Sequence, residues 1–105
     1  MNDLKLLLSD LRGGLQSLYQ DRLRGLYLYG SYSRGEEDPE SDVYILVVLD
    51  RLGRYGDEVD LTSSLISSLS LQYGVSISRL FVDERSWMKS DDPFLENVRS
   101  EAIAA

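Results

Sequence analysis

The chain has 105 residues, with 11 Lys and Arg against 18 Asp and Glu, and so a formal charge of −7. That length suits one hydrophobic core, so residues 1–105 are expected to form a single domain, and the acidic balance argues against direct binding to nucleic acid, whose phosphates it repels. With neither cysteine nor histidine present, disulfides, thiolate or imidazole metal sites and histidine base chemistry are excluded, and any metal must be a hard cation held by carboxylates.

The opening MNDLKLLLSDL is broken by charge and predicts neither a secretory signal nor a membrane span, so a cytoplasmic protein is expected. Leu4, Leu7, Leu8, Leu11, Leu15 and Leu18 recur at three- and four-residue steps, which places them on one stripe of a helix starting near Asp3, weakened at Gly13-Gly14 and ending at Gly25. Residues 26–29 read as a short buried strand, residues 32–41 as a charged loop, and Val43 to Leu49 as a strand covered on both faces. After a turn over residues 50–56, Val59, Leu61, Leu65, Ile66, Leu69 and Tyr73 fit a second amphipathic helix stopped by Gly74. Val75, Ile77, Leu80 and Val82 form a third strand whose alternation slips at Arg79, through a bulge or a change of exposure. Asp91 or Asp92 caps a last helix that takes Pro93 at its first position, buries Phe94, Leu95 and Val98, and runs out at Ala105. The order is helix, strand, strand, helix, strand, helix, an α/β arrangement. Trp87 reads either as a lid over the core or as an interface anchor.

Gly30-Ser31 directly follows the first strand. Glycine there lets backbone amides approach a ligand closely, the serine hydroxyl can donate to a phosphoryl oxygen, Arg34 can pair with phosphate or with Glu36 or Glu37, and Gly35 turns the loop back. The same pair would also serve as an ordinary strand-ending turn. Asp42 opens the next strand, and Tyr44, two residues on, shares its face. Magnesium-dependent nucleotidyl transfer needs carboxylates converging from neighbouring strands. Asp42 supplies one; the phenol of Tyr44, which ionises near pH ~10, is no ordinary magnesium ligand.

The pattern Gly30-Ser31, ten residues containing Arg34-Gly35 and Ser41, then Asp42-Val43-Tyr44 resembles the nucleotidyltransferase superfamily in its minimal, antitoxin form, whose signature is G-S, ten residues, then D-x-D. The resemblance extends over the helix-strand stretch RYGDEVDLTSSLISSLSLQYGVSIS and over DPFLENVRSEAI. It implies a small polymerase-beta-like nucleotidyltransferase fold, a mixed sheet with flanking helices. It also implies ATP and Mg2+ as cofactors, Gly30, Ser31 and Arg34 as nucleotide-binding residues, and Asp42 as metal ligand and catalytic residue. Tyr44 stands where the second aspartate belongs. The third carboxylate is expected between Val75 and Leu80, where the chain offers only Ser76 and Ser78, and Asp83 follows at the strand's exit. Either natural loss or a replacement made to block activity would produce this, and both predict poor magnesium binding.

Family members of this type transfer AMP from ATP to tyrosine of a HEPN ribonuclease toxin. The resemblance therefore implies an antitoxin in a hetero-oligomer with such a toxin, its activity impaired by Tyr44. The alternative is a module of the same fold that neutralises its partner by binding alone. Seven tyrosines suit either an interface or cover for the strands, and the negative charge suits a basic, RNA-binding partner.

Overall fold

The computed structural model describes residues 3–36, 42–89 and 91–105. Helix α1 (Leu4–Tyr19) leads through a 3₁₀ turn (Gln20–Arg22) into β1 (Leu23–Tyr29), followed by the short α2 (Ser31–Arg34) and β2 (Val43–Leu49). Then come α3 (Tyr55–Tyr73), β3 (Ile77–Asp83), α4 (Glu84–Lys89), α5 (Pro93–Glu101) and β4 (Ile103–Ala104). The strands form one mixed sheet in the order β3-β2-β1-β4. β1 runs antiparallel to both β2 and β4, whereas β3 is parallel to β2, with α3 as the crossover.

Alternation along the strands divides the core between two faces. Val43, Ile45, Val47 and Leu49 of β2 point toward Leu7, Leu11 and Leu15 of α1 and Ile66 and Leu69 of α3, all buried in one cluster. Leu46 and Val48 point the other way, where Val82, Trp87, Leu95 and Val98 cover them. β2 is thus buried on both faces, as its unbroken apolar run predicts. Trp87 is a lid: its ring lies 5.0 Å from that of Tyr27, and the Arg99 guanidinium sits 5.7 Å above it.

Several expectations are corrected. Gly25 does not end the first helix: α1 stops at Tyr19, the positive φ of 52° falls on Gln20, and Gly25 lies inside β1 at an irregular register. The missing Cβ of Gly25 makes room for the Tyr27 ring, which lies 2.9 Å from where a Cβ would stand. The 32–41 loop contains α2, closed by the Ser33 hydroxyl and amide donating to the Gly30 carbonyl at 2.7 and 3.0 Å and by Gly35 at φ 69°. The turn after β2 is shorter than expected, since α3 already begins at Tyr55. Leu18, Leu61 and Phe94 are 40%, 45% and 50% exposed and do not belong to the core.

β3 carries no bulge at Arg79, which pairs in register with Ile45. The alternation slips because an arginine occupies a core-facing position under α3. Its guanidinium donates to the Thr62 hydroxyl at 2.7 Å and the Val59 carbonyl at 2.9 Å, so the intruding charge is hydrogen-bonded. The last helix does not reach Ala105: Ile103 and Ala104 pair with Leu28 and Tyr27 as β4. α4 has its own cap, Asp83, whose carboxylate accepts from the Ser86 amide at 2.7 Å and the Ser86 hydroxyl at 3.1 Å.

The two central glycines of α1 are not equivalent. A Cβ on Gly13 meets nothing within 4 Å, whereas one on Gly14 would lie 2.5 Å from Leu65 Cδ1 on α3. Gly13→Ala is therefore expected to stabilise the fold by about 0.5–1 kcal/mol, the usual helix-interior difference. Gly14→Ala should fall short of that gain or reverse it, because Leu65 has to move. Urea denaturation of the two variants reads the contrast, and equal gains would show that the α1–α3 contact is loose.

Candidate functional site

The motif assembles where β1 ends and β2 begins. Gly30 adopts φ 83° and ψ −159°, a conformation that favours glycine, and a Cβ there would stand 3.0 Å from Tyr44 Cδ2. The turn after β1 and the ring of Tyr44 are thus in direct contact. Tyr44 pairs in register with Tyr29 on one side and with Ser78 on the other, so it holds the central position of this sheet end. Its ring packs 5.6 Å from that of Tyr29, which in turn meets Phe94 of α5 edge-on at 6.4 Å.

Asp42 lies on the face predicted: the Tyr44 hydroxyl reaches its Oδ2 at 3.5 Å, a long contact. Ser78 occupies the adjoining register position on β3, within the Val75 to Leu80 stretch where the resemblance implies a third carboxylate. Asp83 does not substitute for it. It pairs with Leu49 at the opposite end of the strands, five residues beyond Ser78, or about 16 Å at ~3.3 Å per residue, and its oxygens are spent on Ser86. Glu84, the next residue, opens α4 at that same far end. Ser41 and Glu37 lie outside the described residues.

Among the described residues, the side chains at the three motif positions are one carboxylate, one phenol and one serine, and the neighbouring Glu101 carboxylate is taken up by the Gly30 amide and Arg34. Among the described residues no three carboxylates come together as a metal cluster. A magnesium ion held by converging carboxylates does not fit this set, and the Tyr44 ring fills space beside the glycine turn as well as lacking the charge.

Arg34 makes one of the contacts expected from sequence, with Glu36, and one that was not foreseen. Its Nε pairs with Glu36 at 2.5 Å and its Nη1 with Glu101 at 2.9 Å. Hydrogen bonds to Glu36 and then Glu101 raise its already high pKa. The other oxygen of Glu101 accepts from the Gly30 amide at 3.2 Å. Burial pushes the Tyr29 phenol up, with the Tyr44, Tyr55 and Glu101 charges adding to it, so Tyr29 stays a neutral hydroxyl at ordinary pH.

Sequence reasoning did not assign Glu101, Tyr29 or Phe94 to the site. A signal existed for Glu101: it ends α5, where the negative end of the helix dipole disfavours a carboxylate. A glutamate in that place has reason to pair elsewhere.

A cleft of about 570 Å³ opens at the opposite end of the sheet, lined by Arg22, Arg51, Arg54, Asp57, Glu58 and Leu61 among others. It contains no residue of the motif, and Arg22 within it is already paired with Asp50 and Glu58.

A mixed sheet flanked by helices on both faces, with a glycine-serine turn set against an aspartate at the head of the neighbouring strand, defines a nucleotidyltransferase scaffold. The model of the nucleotidyltransferase domain family matches residues 8–98, and the chain belongs to that family. MJ0604 of Methanocaldococcus jannaschii, provisionally named a protein adenylyltransferase, is 37% identical over 76 residues, covering 71% of this chain and 69% of its own length. A second protein of that organism with the same provisional name, MJ0141, is 28% identical over 72 residues, 69% of this chain and 72% of its own. Among solved structures, a toxin–antitoxin crystallised with AMP-PNP matches with a TM-score of 0.65 at 21% identity, over 91% of this chain and 69% of that one. A mutant of the toxin–antitoxin MntA-HpeT matches with a TM-score of 0.57 at 24% identity, over 90% and 70%. These two share the fold. Among the described residues no helix is long and apolar enough to cross a membrane.

Proposed function

We propose that this chain is the antitoxin of a pair with a HEPN ribonuclease toxin, and that it silences the toxin chiefly by forming a complex with it. The family reaction, transfer of AMP from ATP to a toxin tyrosine, is cut down by Tyr44. In that reaction the tyrosine oxygen would bond to the α-phosphorus of ATP, the bond to the pyrophosphate oxygen would break, and the phenol proton would be lost. This chain's part is to hold phosphate oxygens at the Gly30 amide, the Ser31 hydroxyl and the Arg34 guanidinium, with Asp42 facing the reacting centre. Magnesium would supply charge neutralisation, and Asp42 alone is a poor holder for it.

One observation carries the reading: the Tyr44 ring packs on Gly30 and Tyr29 at the second ligand position of the motif. Support for a toxin partner comes from the fold shared with toxin–antitoxin structures and from the charge of −7, which favours association with a basic protein.

The test mixes the purified chain with the product of the gene next to its own, with and without magnesium and ATP, and follows ribonuclease activity, complex formation and intact mass. Stoichiometric inhibition without ATP, with little or no added AMP, is the expected result. Inhibition that depends on ATP, with AMP appearing on the toxin, would overturn neutralisation by binding and restore the catalytic account. Neither complex nor mass change would sink both.

A further inference from the structure

The phosphate turn already holds an anion supplied by the chain itself. Glu101 Oε1 accepts from the Gly30 amide at 3.2 Å, and Glu101 Oε2 accepts from Arg34 Nη1 at 2.9 Å. These are two of the three donors that the motif offers to a phosphoryl group, and one planar carboxylate spans both. We infer that Glu101 is an internal competitor for the phosphate turn, which a polyphosphate ligand has to displace in order to bind, so that this residue sets the threshold for nucleotide affinity. The inference rests on reading Gly30 to Arg34 as a phosphate turn.

The backbone around Glu101 is pinned on both sides. Asp92 caps the start of α5 by accepting from the Phe94 amide at 2.8 Å, and Leu95 and Val98 pack the helix onto Leu46 and Val48. Beyond Glu101, β4 pairs with β1, the Ala105 amide donates to the Leu26 carbonyl at 2.8 Å, and Arg12 donates to the Ala105 carbonyl at 2.8 Å. Fixed between these anchors, α5 delivers the carboxylate to the turn, and only the side chain has to swing for the turn to open.

Two forces act on that swing. The carboxylate sits at the negative end of α5, which pushes it away, and Arg34 holds it in place. The pair is partly exposed, 46% for the Arg34 side chain and 30% for Glu101, so water and salt compete with it and the block is graded rather than absolute. A ligand with two adjacent phosphates can replace both contacts at once, because each phosphate brings an anionic oxygen of its own. A monocarboxylate gains nothing over Glu101, which is already tethered.

The experiment titrates inorganic pyrophosphate, without magnesium, into the full ¹⁵N-labelled chain and into its Glu101→Gln and Glu101→Ala variants, following the Gly30 amide and the Arg34 Nε resonance. Glu101→Gln keeps the shape and an acceptor for Gly30 but loses the charge. Glu101→Ala frees both donors, and near-native spectra of Tyr27 and Leu28 would report that β4 still pairs. Both variants are expected to bind about threefold to tenfold more tightly than the parent chain, with the advantage shrinking as salt is raised. Equal affinities in all three proteins, with the Gly30 amide shifting in each, would overturn the competition and leave the phosphate turn standing. No shift at Gly30 in any of them would overturn both the competition and the phosphate-turn reading.

Discussion

Tyr44→Asp is expected to create magnesium-dependent ATP binding at least tenfold tighter than in the parent chain, about 1.4 kcal/mol. The substitution acts twice. It places a second carboxylate on the same strand face as Asp42, as a magnesium–triphosphate complex requires, and it removes the ring that stands 3.0 Å from where a Cβ on Gly30 would lie. Tyr44→Ala separates these effects, since it opens the space without adding a ligand, so any gain it shows should not depend on magnesium. The cost to the fold is small: Tyr44 is 36% exposed, and the lost Tyr29 packing is worth about 0.5–1.5 kcal/mol. Calorimetry with ATP, with and without magnesium, reads the outcome. A Tyr44→Asp chain that gains nothing with magnesium would remove position 44 from the ligand set. Asp42→Asn in the parent chain should change nucleotide binding little, since the metal arrangement is already broken.

Glu58→Ala is expected to lower stability by about 2 kcal/mol. Glu58 is 5% exposed, accepts from the Tyr19 hydroxyl at 3.2 Å and from Arg22 Nη2 at 2.9 Å, and joins α3 to the end of α1 and to the 3₁₀ turn that leads into β1. Truncation leaves the buried Tyr19 hydroxyl without its acceptor. Arg22, with 40% of its side chain exposed, can turn to water and keeps Asp50, which holds the loss below that of a fully buried pair. The loss also depends on pH. Burial, then the charge and hydrogen bond of Glu58, push the Tyr19 phenol far above its ordinary value of 10.0. The folded state therefore keeps a proton that the unfolded state releases, so this stability is complete below about pH 10 and drains away as pH rises through the folded value. Removing Glu58 takes away part of that upward push, so the gap between parent and variant should narrow above pH 10. Chemical denaturation at pH 7 and at stepped alkaline pH checks both the size and the sign.

Much of this was legible in the letters. The α1 stripe up to Leu15, the doubly covered β2, the Asp92–Pro93 start of α5 and the Gly74 stop all follow from local chemistry, and the structure keeps each of them. What was missed depends on partners far away in sequence. Arg79 broke the strand alternation because Thr62 and Val59 on α3 receive it, and no window around residue 79 contains them. Ile103 and Ala104 look like a fraying helix end until β1 offers an edge. At the site, the face shared by Asp42 and Tyr44 follows from strand periodicity alone. The closure of the glycine turn by Glu101 does not, since 71 residues separate Gly30 from its carboxylate.

The division of the core between two sheet faces bears on how such a protein can change over generations. The larger cluster, built from α1, α3 and the inner side of β2, contains neither Asp42 nor Tyr44. The motif sits instead at the rim of the opposite face, beyond the smaller cluster beneath α4 and α5. Selection for folding and selection for chemistry thus fall on nearly separate sets of positions. A lineage can exchange aspartate and tyrosine at position 44 in either direction without unfolding, on a scaffold that never ceases to fold.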